Sequence, residues 1–238
     1  MHSTIEGQLN SDERQLLTDS ILKAPKKPEV VVEVGTWLGG GSTVIFLRAL
    51  HQNGVGHLWG VEADRSIYER MIANLTSLAP DVVGRFTPLF GLSDDVLPVW
   101  IAQQKKPFAI DVVFLDGGDR PSEQISEFEI LCPHMPVGAQ LLSHDAKLRK
   151  GKWLIPFLYQ LDNWQVQLHD ISEHGIMRAL KIGAQPSPES LRAAKAILRK
   201  LRWEPMEVIA RFTPSGIKRF VFSKIPENLA QRIAGGKK

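Results

Sequence analysis

The sequence has a single cysteine, Cys132, in 238 residues. A lone thiol closes no internal disulfide and fits no metal-ligand spacing, which excludes a disulfide scaffold and a cysteine-built metal centre. No run approaches the roughly 20 apolar residues that cross a bilayer, so no membrane is expected. Met1 to Gln8 lacks the basic region and apolar stretch of a secretory leader, and cytoplasmic residence is expected. The dinucleotide pattern G-x-G-x-x-G is missing, because the position two after Gly35 is Trp37, and there is no G-K-[ST] phosphate loop. Both absences disfavour nucleotide-dependent chemistry. No internal repeat and no low-complexity block interrupts the chain.

What is present is an ordinary globular composition, 43% hydrophobic and 23% charged, long enough for one large α/β domain with a sizeable core. The net charge of +3 hides an asymmetry. Residues 184–238 hold twelve Lys and Arg against four Asp and Glu, leaving 17 basic and 22 acidic residues in the rest. Such a segment reads either as an attractor for an anionic partner or as a solvated helix face with a charged tail.

Periodicity and turn signals give the order of elements. Ser11–Leu22 reads as a capped amphipathic helix, and Pro25 and Pro28 end it before a first strand, Glu29–Val34. Helices are predicted from Ser42, Ser66, Asp94, Pro121 and Trp153. Strands are predicted at Leu58–Val61, Phe86–Phe90, Ile110–Leu115 and Gln140–Ser143. Gln165–Leu168 and Met177–Ile182 are two more strands, and the short link between them implies an antiparallel pair. Near-continuous apolar strands alternating with helices indicate a parallel sheet covered on both faces. The expected fold is a Rossmann-like, doubly wound, seven-stranded, mostly parallel sheet with an antiparallel last strand. Three parts are expected: an N-terminal helical segment over 1–28, the sheet domain over 29–183, and a basic appendage over 184–238. In the appendage, Pro188–Leu201 reads as a basic helix, with strands at Val208–Phe212 and Arg219–Phe222. A lid, a sheet extension and a dimer contact are all compatible with it.

In an open parallel sheet, ligands bind beyond the carboxyl ends of the strands. The polar residues there begin with Glu33-Val34-Gly35-Thr36-Trp37-Leu38-Gly39-Gly40-Gly41-Ser42, where a β-branched run meets a carboxylate and a glycine turn. A carboxylate at such a turn is wrong for a phosphate and right for a cationic, hydroxyl-bearing ligand, which points to S-adenosylmethionine. Glu62 and Asp64 end strand two, Ser93 and Asp94 follow strand three, Asp116 to Asp119 follow strand four, and His144 and Asp145 end strand five.

On these residues the chain resembles the class I S-adenosylmethionine-dependent methyltransferases, over about residues 5–183. It is most similar to the small-molecule O-methyltransferases, both the catechol type and a bacterial group linked to biosynthesis; Ile5-Glu6-Gly7-Gln8-Leu9 ahead of a helix is also similar to that group. The resemblance implies that Gly35 and Gly39 turn the backbone round the methionine part of the cofactor. Thr36 and Ser42 belong to the same loop, and Glu33 would lie near the cofactor's ammonium. Glu62 would take both ribose hydroxyls, while Ser93 and Asp94 would hold the adenine edge unless they merely cap a helix. Asp116 is shared with the acceptor side, where Asp116, His144 and Asp145 fall on the positions of a divalent-metal site, Mg or Mn. The lysine expected shortly after the first acid is Asp119 here, which leaves the general base open. Two mechanisms follow: a metal at Asp116, His144 and Asp145, or His144 as a metal-free base supported by Asp116 or Asp145.

The expected activity is O-methylation of a small-molecule hydroxyl, and a homodimer is compatible with it. An RNA methyltransferase using the basic segment and a non-catalytic cofactor binder are the alternatives. Against the first, no aromatic-rich RNA platform and no Asn/Asp-Pro-Pro-aromatic motif is present. Asp170 and His174, in the link between the last strands, read first as structural and otherwise as substrate contacts. Lys147, Arg149, Lys150 and Lys152 read as steering charge for an anionic acceptor or as solvated loop charge. Trp37, Trp153 and Trp164 read as acceptor-pocket walls or as core.

Overall fold

The computed structural model describes residues 7–105 and 107–203. Seven strands form one sheet: β1 (Val30–Val34), β2 (His57–Glu62), β3 (Phe86–Phe90), β4 (Val112–Leu115), β5 (Gln140–His144), β6 (Trp164–His169) and β7 (Ile176–Lys181). Their order is β3-β2-β1-β4-β5-β7-β6. β1 to β5 run parallel, and β7 pairs antiparallel with both β5 and β6. Among the described residues seven α-helices flank it: α1 (Ser11–Leu22), α2 (Ser42–Asn53), α3 (Arg65–Leu78), α4 (Ser93–Ala102), α5 (Pro121–Leu131), α6 (Leu154–Tyr159) and α7 (Pro188–Arg202). The expected doubly wound sheet with its antiparallel last strand is what forms.

Alternation along the central strands divides the core in two. Val32, Val113, Leu115 and Leu141 point to the layer containing α4 to α7, where they meet Leu97, Phe128, Leu154 and Leu198. Val31, Val112, Phe114 and Leu142 point to the opposite layer and meet Leu17, Phe46, Leu50 and Met71 of α1 to α3. Phe46 and Phe114 contact edge to face at 5.6 Å between centroids, a pairing that adds about 1 kcal/mol to simple burial.

Local chemistry sets the helix ends. The α1 cap is Asn10, one residue before the predicted start: its side chain accepts from Asp12 and Glu13, and Glu13 closes the capping box. α2 stops at Gly54, in the left-handed region at φ 79°. Ser187 caps α7 and Pro188 opens it. Helix α6 starts at Leu154, one residue after the predicted Trp153, because a 3-10 turn, Arg149–Lys152, precedes it. Helices α1 and α7, expected in segments flanking the sheet domain, bury Leu17, Ile21, Ala194 and Leu198 in the two core layers. The predicted strands at 208–212 and 219–222 lie outside the described residues. No helix among the described residues is long and apolar enough to cross a membrane.

The chain runs from β1 outward to β3 and then crosses to β4. The reversal lies between β1 and β4, and a crevice opens there at the carboxyl ends.

Candidate active site

The glycine turn after β1 is shaped by its neighbours. Gly35 has φ +91°, and a Cβ there would come within 2.6 Å of the Asp116 carbonyl, so its bareness lets the loops after β1 and β4 touch. Gly39 faces Leu75 and Met71 of α3. Gly7 lies against Gly40, where a Cβ would sit 2.4 Å from the Gly40 oxygen, so the N-terminal segment crosses the turn. Glu33 is fully buried beneath it and accepts hydrogen bonds from the hydroxyls of Ser42 and, at 2.8 Å, Thr43. The carboxylate thus fastens the start of α2 to β1. Thr36 Oγ1 is buried with no hydrogen-bond partner among the described residues.

Glu62 ends β2 beside this turn. Its Oε2 accepts from the Trp37 N–H and its Oε1 from the Asp64 N–H, both at 3.0 Å. Trp37 has φ +46°, one of two positive values among described non-glycine residues; the other is Asp145, at +53°. Both flank the crevice, where strained backbone marks a site held for function.

Ser93 and Asp94 do not cap α4, whose N-cap is Leu92 without a side-chain bond. Ser93 Oγ donates to Glu127 Oε1 at 2.7 Å, and Asp94 Oδ1 accepts from Ser126 Oγ at 2.7 Å. Both tie α4 to α5. Glu127 is a buried carboxylate that the sequence reading missed, and its Oε2 has no hydrogen-bond partner among the described residues. No periodicity signal separates it from the solvated acids of α5.

Across the crevice, Asp116, His144 and Asp145 come together as the strand-end positions imply. Each offers one ligand atom, and these atoms lie within 4.8 Å of one another. Three further residues shape the cluster. Glu13 of α1 is buried with Oε1 3.2 Å from His144 Nε2, while His144 Nδ1 lies 3.3 Å from Asp116 and 3.2 Å from Asp145. Lys150 is 5% exposed, not solvated, and its Nζ lies 2.8 Å from both Asp116 Oδ1 and Asp145 Oδ2. His174 is exposed, with Nδ1 3.0 Å from Asp145 Oδ1. Asp170, in contrast, pairs with Lys147. Asn10 Nδ2 donates to the Ile171 carbonyl at 3.0 Å, which joins α1 to the β6–β7 link. Trp153 and Trp164 are core.

By spacing alone, the three donors suit a divalent ion. Their charge environment does not: an ammonium already bridges the two carboxylates, and the imidazole faces acids at both nitrogens. A metal-bound imidazole must present a free lone pair.

Burial pushes the Glu33 carboxyl up to about 8, reinforced by Asp116 and Glu62 and opposed by the Ser42 and Thr43 hydrogen bonds. Burial likewise lifts Glu127 to about 7. At His144 burial opposes the charge, but the hydrogen bonds and field of Asp116 and Asp145 outweigh it and raise the ring to about 10. All three make the folded chain hold more protons than the unfolded one. Stability therefore declines through pH 4.5–8 for Glu33, 4.5–7 for Glu127 and 6.5–10 for His144. Asp145 has the opposite sign: burial would raise it, but His144 and Lys150 hold it well below the carboxylate range, so its contribution is lost only in acid. The melting temperature of the ligand-free protein is expected to fall by about 10 °C between pH 6 and pH 9. A scanning-calorimetry series that is flat or rising over that range would refute these assignments.

A groove of about 450 Å³ between α5, α6 and α7 lies elsewhere; of its charged lining residues, Glu129 and Lys181, the lysine is spent on the Met135 and Cys132 carbonyls.

Residues 32–146 match a family described as a methyltransferase domain. No curated protein sequence matches the chain. Solved structures similar in fold include the O-methyltransferase TomG from Streptomyces achromogenes, involved in tomaymycin synthesis and solved with S-adenosylmethionine. It is 19% identical, with a TM-score of 0.59 over 74% of this chain and 82% of that one. An O-methyltransferase from Bacillus cereus in complex with SAH is 17% identical, with a TM-score of 0.56 over 73% and 83%. A structure named as a putative rRNA-methylase from Clostridium thermocellum is 16% identical, with a TM-score of 0.57 over 74% and 98%. At these identities the likeness establishes the fold. The family match runs from β1 to the loop after β5, the segment that carries the crevice, and the sheet order around it is that of the class I, S-adenosylmethionine-dependent methyltransferase fold.

Proposed function

We propose that the protein transfers the methyl group of S-adenosylmethionine to a hydroxyl of a small molecule. The observation that carries this reading is the arrangement across the β1–β4 reversal. Glu62 and the glycine turn stand on one side of it, and the cluster of Asp116, His144 and Asp145 stands on the other. Methyl transfer is an in-line displacement: an oxygen lone pair forms the new C–O bond while the C–S bond breaks. The sulfonium takes that pair and becomes a neutral thioether, and the hydroxyl proton leaves to a base. Most of the catalysis is alignment of the two reactants.

The cluster supports a division of labour. His144, with carboxylates at both ring nitrogens, has no lone pair turned to an acceptor and serves to hold Asp116, Asp145 and Glu13 in place. His174 has one nitrogen against Asp145 and half its side chain in solvent, which suits it to receive the proton. Glu13 and the β6–β7 link border the cluster, and such bordering favours a small acceptor.

Calorimetry with S-adenosylmethionine and its demethylated product tests the donor, and a labelled donor offered with phenols, catechols and transcribed RNA tests the acceptor. Binding of both cofactor forms and labelling of a hydroxyl compound are expected. Transfer to RNA alone would overturn the acceptor assignment, and absence of binding by either cofactor form would overturn the donor.

A further inference from the structure

The acceptor end of the crevice gathers three acids, Glu13, Asp116 and Asp145, around one imidazole, and a lysine has entered the group. Lysine is seldom buried to 5% exposure without a partner. Lys150 has two, and its Nζ lies 2.8 Å from an oxygen of each of Asp116 and Asp145. These are the carboxylates that would supply the oxygen ligands of a metal ion. We propose that Lys150 is the resident cation of this site, neutralising Asp116 and Asp145 where a divalent ion would otherwise bind, so that the enzyme works without a metal.

Two further observations point the same way. The third donor of the set, His144, has acids beside both ring nitrogens, Glu13 3.2 Å from Nε2 and Asp116 and Asp145 at 3.3 and 3.2 Å from Nδ1, so neither nitrogen faces a space held open for an ion. The lysine's backbone is also fixed. The next residue, Gly151, packs so closely that a Cβ would fall 2.5 Å from the Ala146 carbonyl and 3.0 Å from Ile155 Cδ1. The turn Arg149–Lys152 is therefore anchored where it carries Lys150 past the two carboxylates. An ammonium has three N–H donors, and two are directed at the carboxylates. Among the described residues the third is left for an acceptor oxygen, which a single cation can orient in an alcohol or phenol carrying only one hydroxyl.

The inference extends the methyl-transfer reading, but its test needs no turnover, so the two can fail separately. Full-length protein stripped with a chelator is titrated with Mn²⁺, the free ion being followed by electron paramagnetic resonance. The same titration is made on Lys150→Ala. The native protein is expected to take up no stoichiometric Mn²⁺ up to about millimolar concentration. Lys150→Ala, left with two uncompensated carboxylates, is expected to melt at lower temperature, to bind Mn²⁺ at least about tenfold more tightly, and to regain melting temperature when the ion is added. Stoichiometric Mn²⁺ on the native protein overturns the proposal. So does a folded Lys150→Ala that melts like the native protein and ignores the ion. If Lys150→Ala does not fold, the double variant Lys150→Ala/Asp145→Asn, which removes one of the two charges, must fold, and its failure to do so overturns the proposal.

Discussion

Replacing Glu62 by Ala is expected to weaken binding of S-adenosylmethionine by about 10²-fold or more, measured by calorimetry. Glu62 stands at the carboxyl end of β2, and each of its oxygens accepts one backbone N–H, from Trp37 and from Asp64. A carboxylate oxygen has a second lone pair, so the side chain is held rigidly with two acceptor positions to spare. A pair of vicinal ribose hydroxyls fits that spacing. Hydrogen bonds to a charged acceptor are worth about 1.5–3 kcal/mol each, and losing two removes roughly two decades of affinity. Alanine also frees the Trp37 N–H, which is held at positive φ, so the glycine turn loosens. Glu62→Gln keeps one acceptor and is expected to fall between. The demethylated product shares the ribose and must lose affinity in parallel. If either ligand binds Glu62→Ala within about twofold of the native protein, the ribose assignment is wrong.

Glu62 was legible because its signal is local. A strand ends, a carboxylate follows, and the sheet order fixes where it points. The same holds for Asp116, His144 and Asp145, and for the strands themselves, whose apolar runs are needed to cover two faces. The residues that were not legible act from other elements. Glu13 reads as the acid of a capping box, and it is one, but its other oxygen reaches His144 across 131 residues. Lys150 sits in a run with Lys147, Arg149 and Lys152 that looks like surface charge, and only the tight turn at Gly151 puts it inside. Glu127 is one acid among several on α5, buried because Ser93 of α4 comes to meet it. Composition and periodicity carry no trace of such pairings; they exist once the sheet has brought its ends together.

His174→Ala is expected to lower kcat by about 10²–10⁴-fold, the usual range for removal of a general base, while leaving cofactor affinity unchanged. His174 follows β6 on the link to β7, and its Nδ1 lies 3.0 Å from Asp145 Oδ1 with half the side chain exposed. With Nδ1 facing the Asp145 carboxylate, Nε2 is the nitrogen expected to accept a proton. Asp145 adopts φ +53°, an unfavourable conformation that places its carboxylate among His144, Lys150 and His174 at once. His144→Ala makes the contrast. It removes the group that spaces Glu13, Asp116 and Asp145, so it is expected to lower the melting temperature as well as the rate, and added imidazole is not expected to restore turnover. His174→Ala removes an exposed ring at the crevice mouth, and added imidazole can enter the space it leaves. Recovery of turnover with imidazole in His174→Ala, at an unchanged melting temperature, is the signature of a proton acceptor. If His174→Ala turns over like the native protein, or if imidazole rescues His144→Ala instead, the base is His144 and the division of labour within the cluster is reversed.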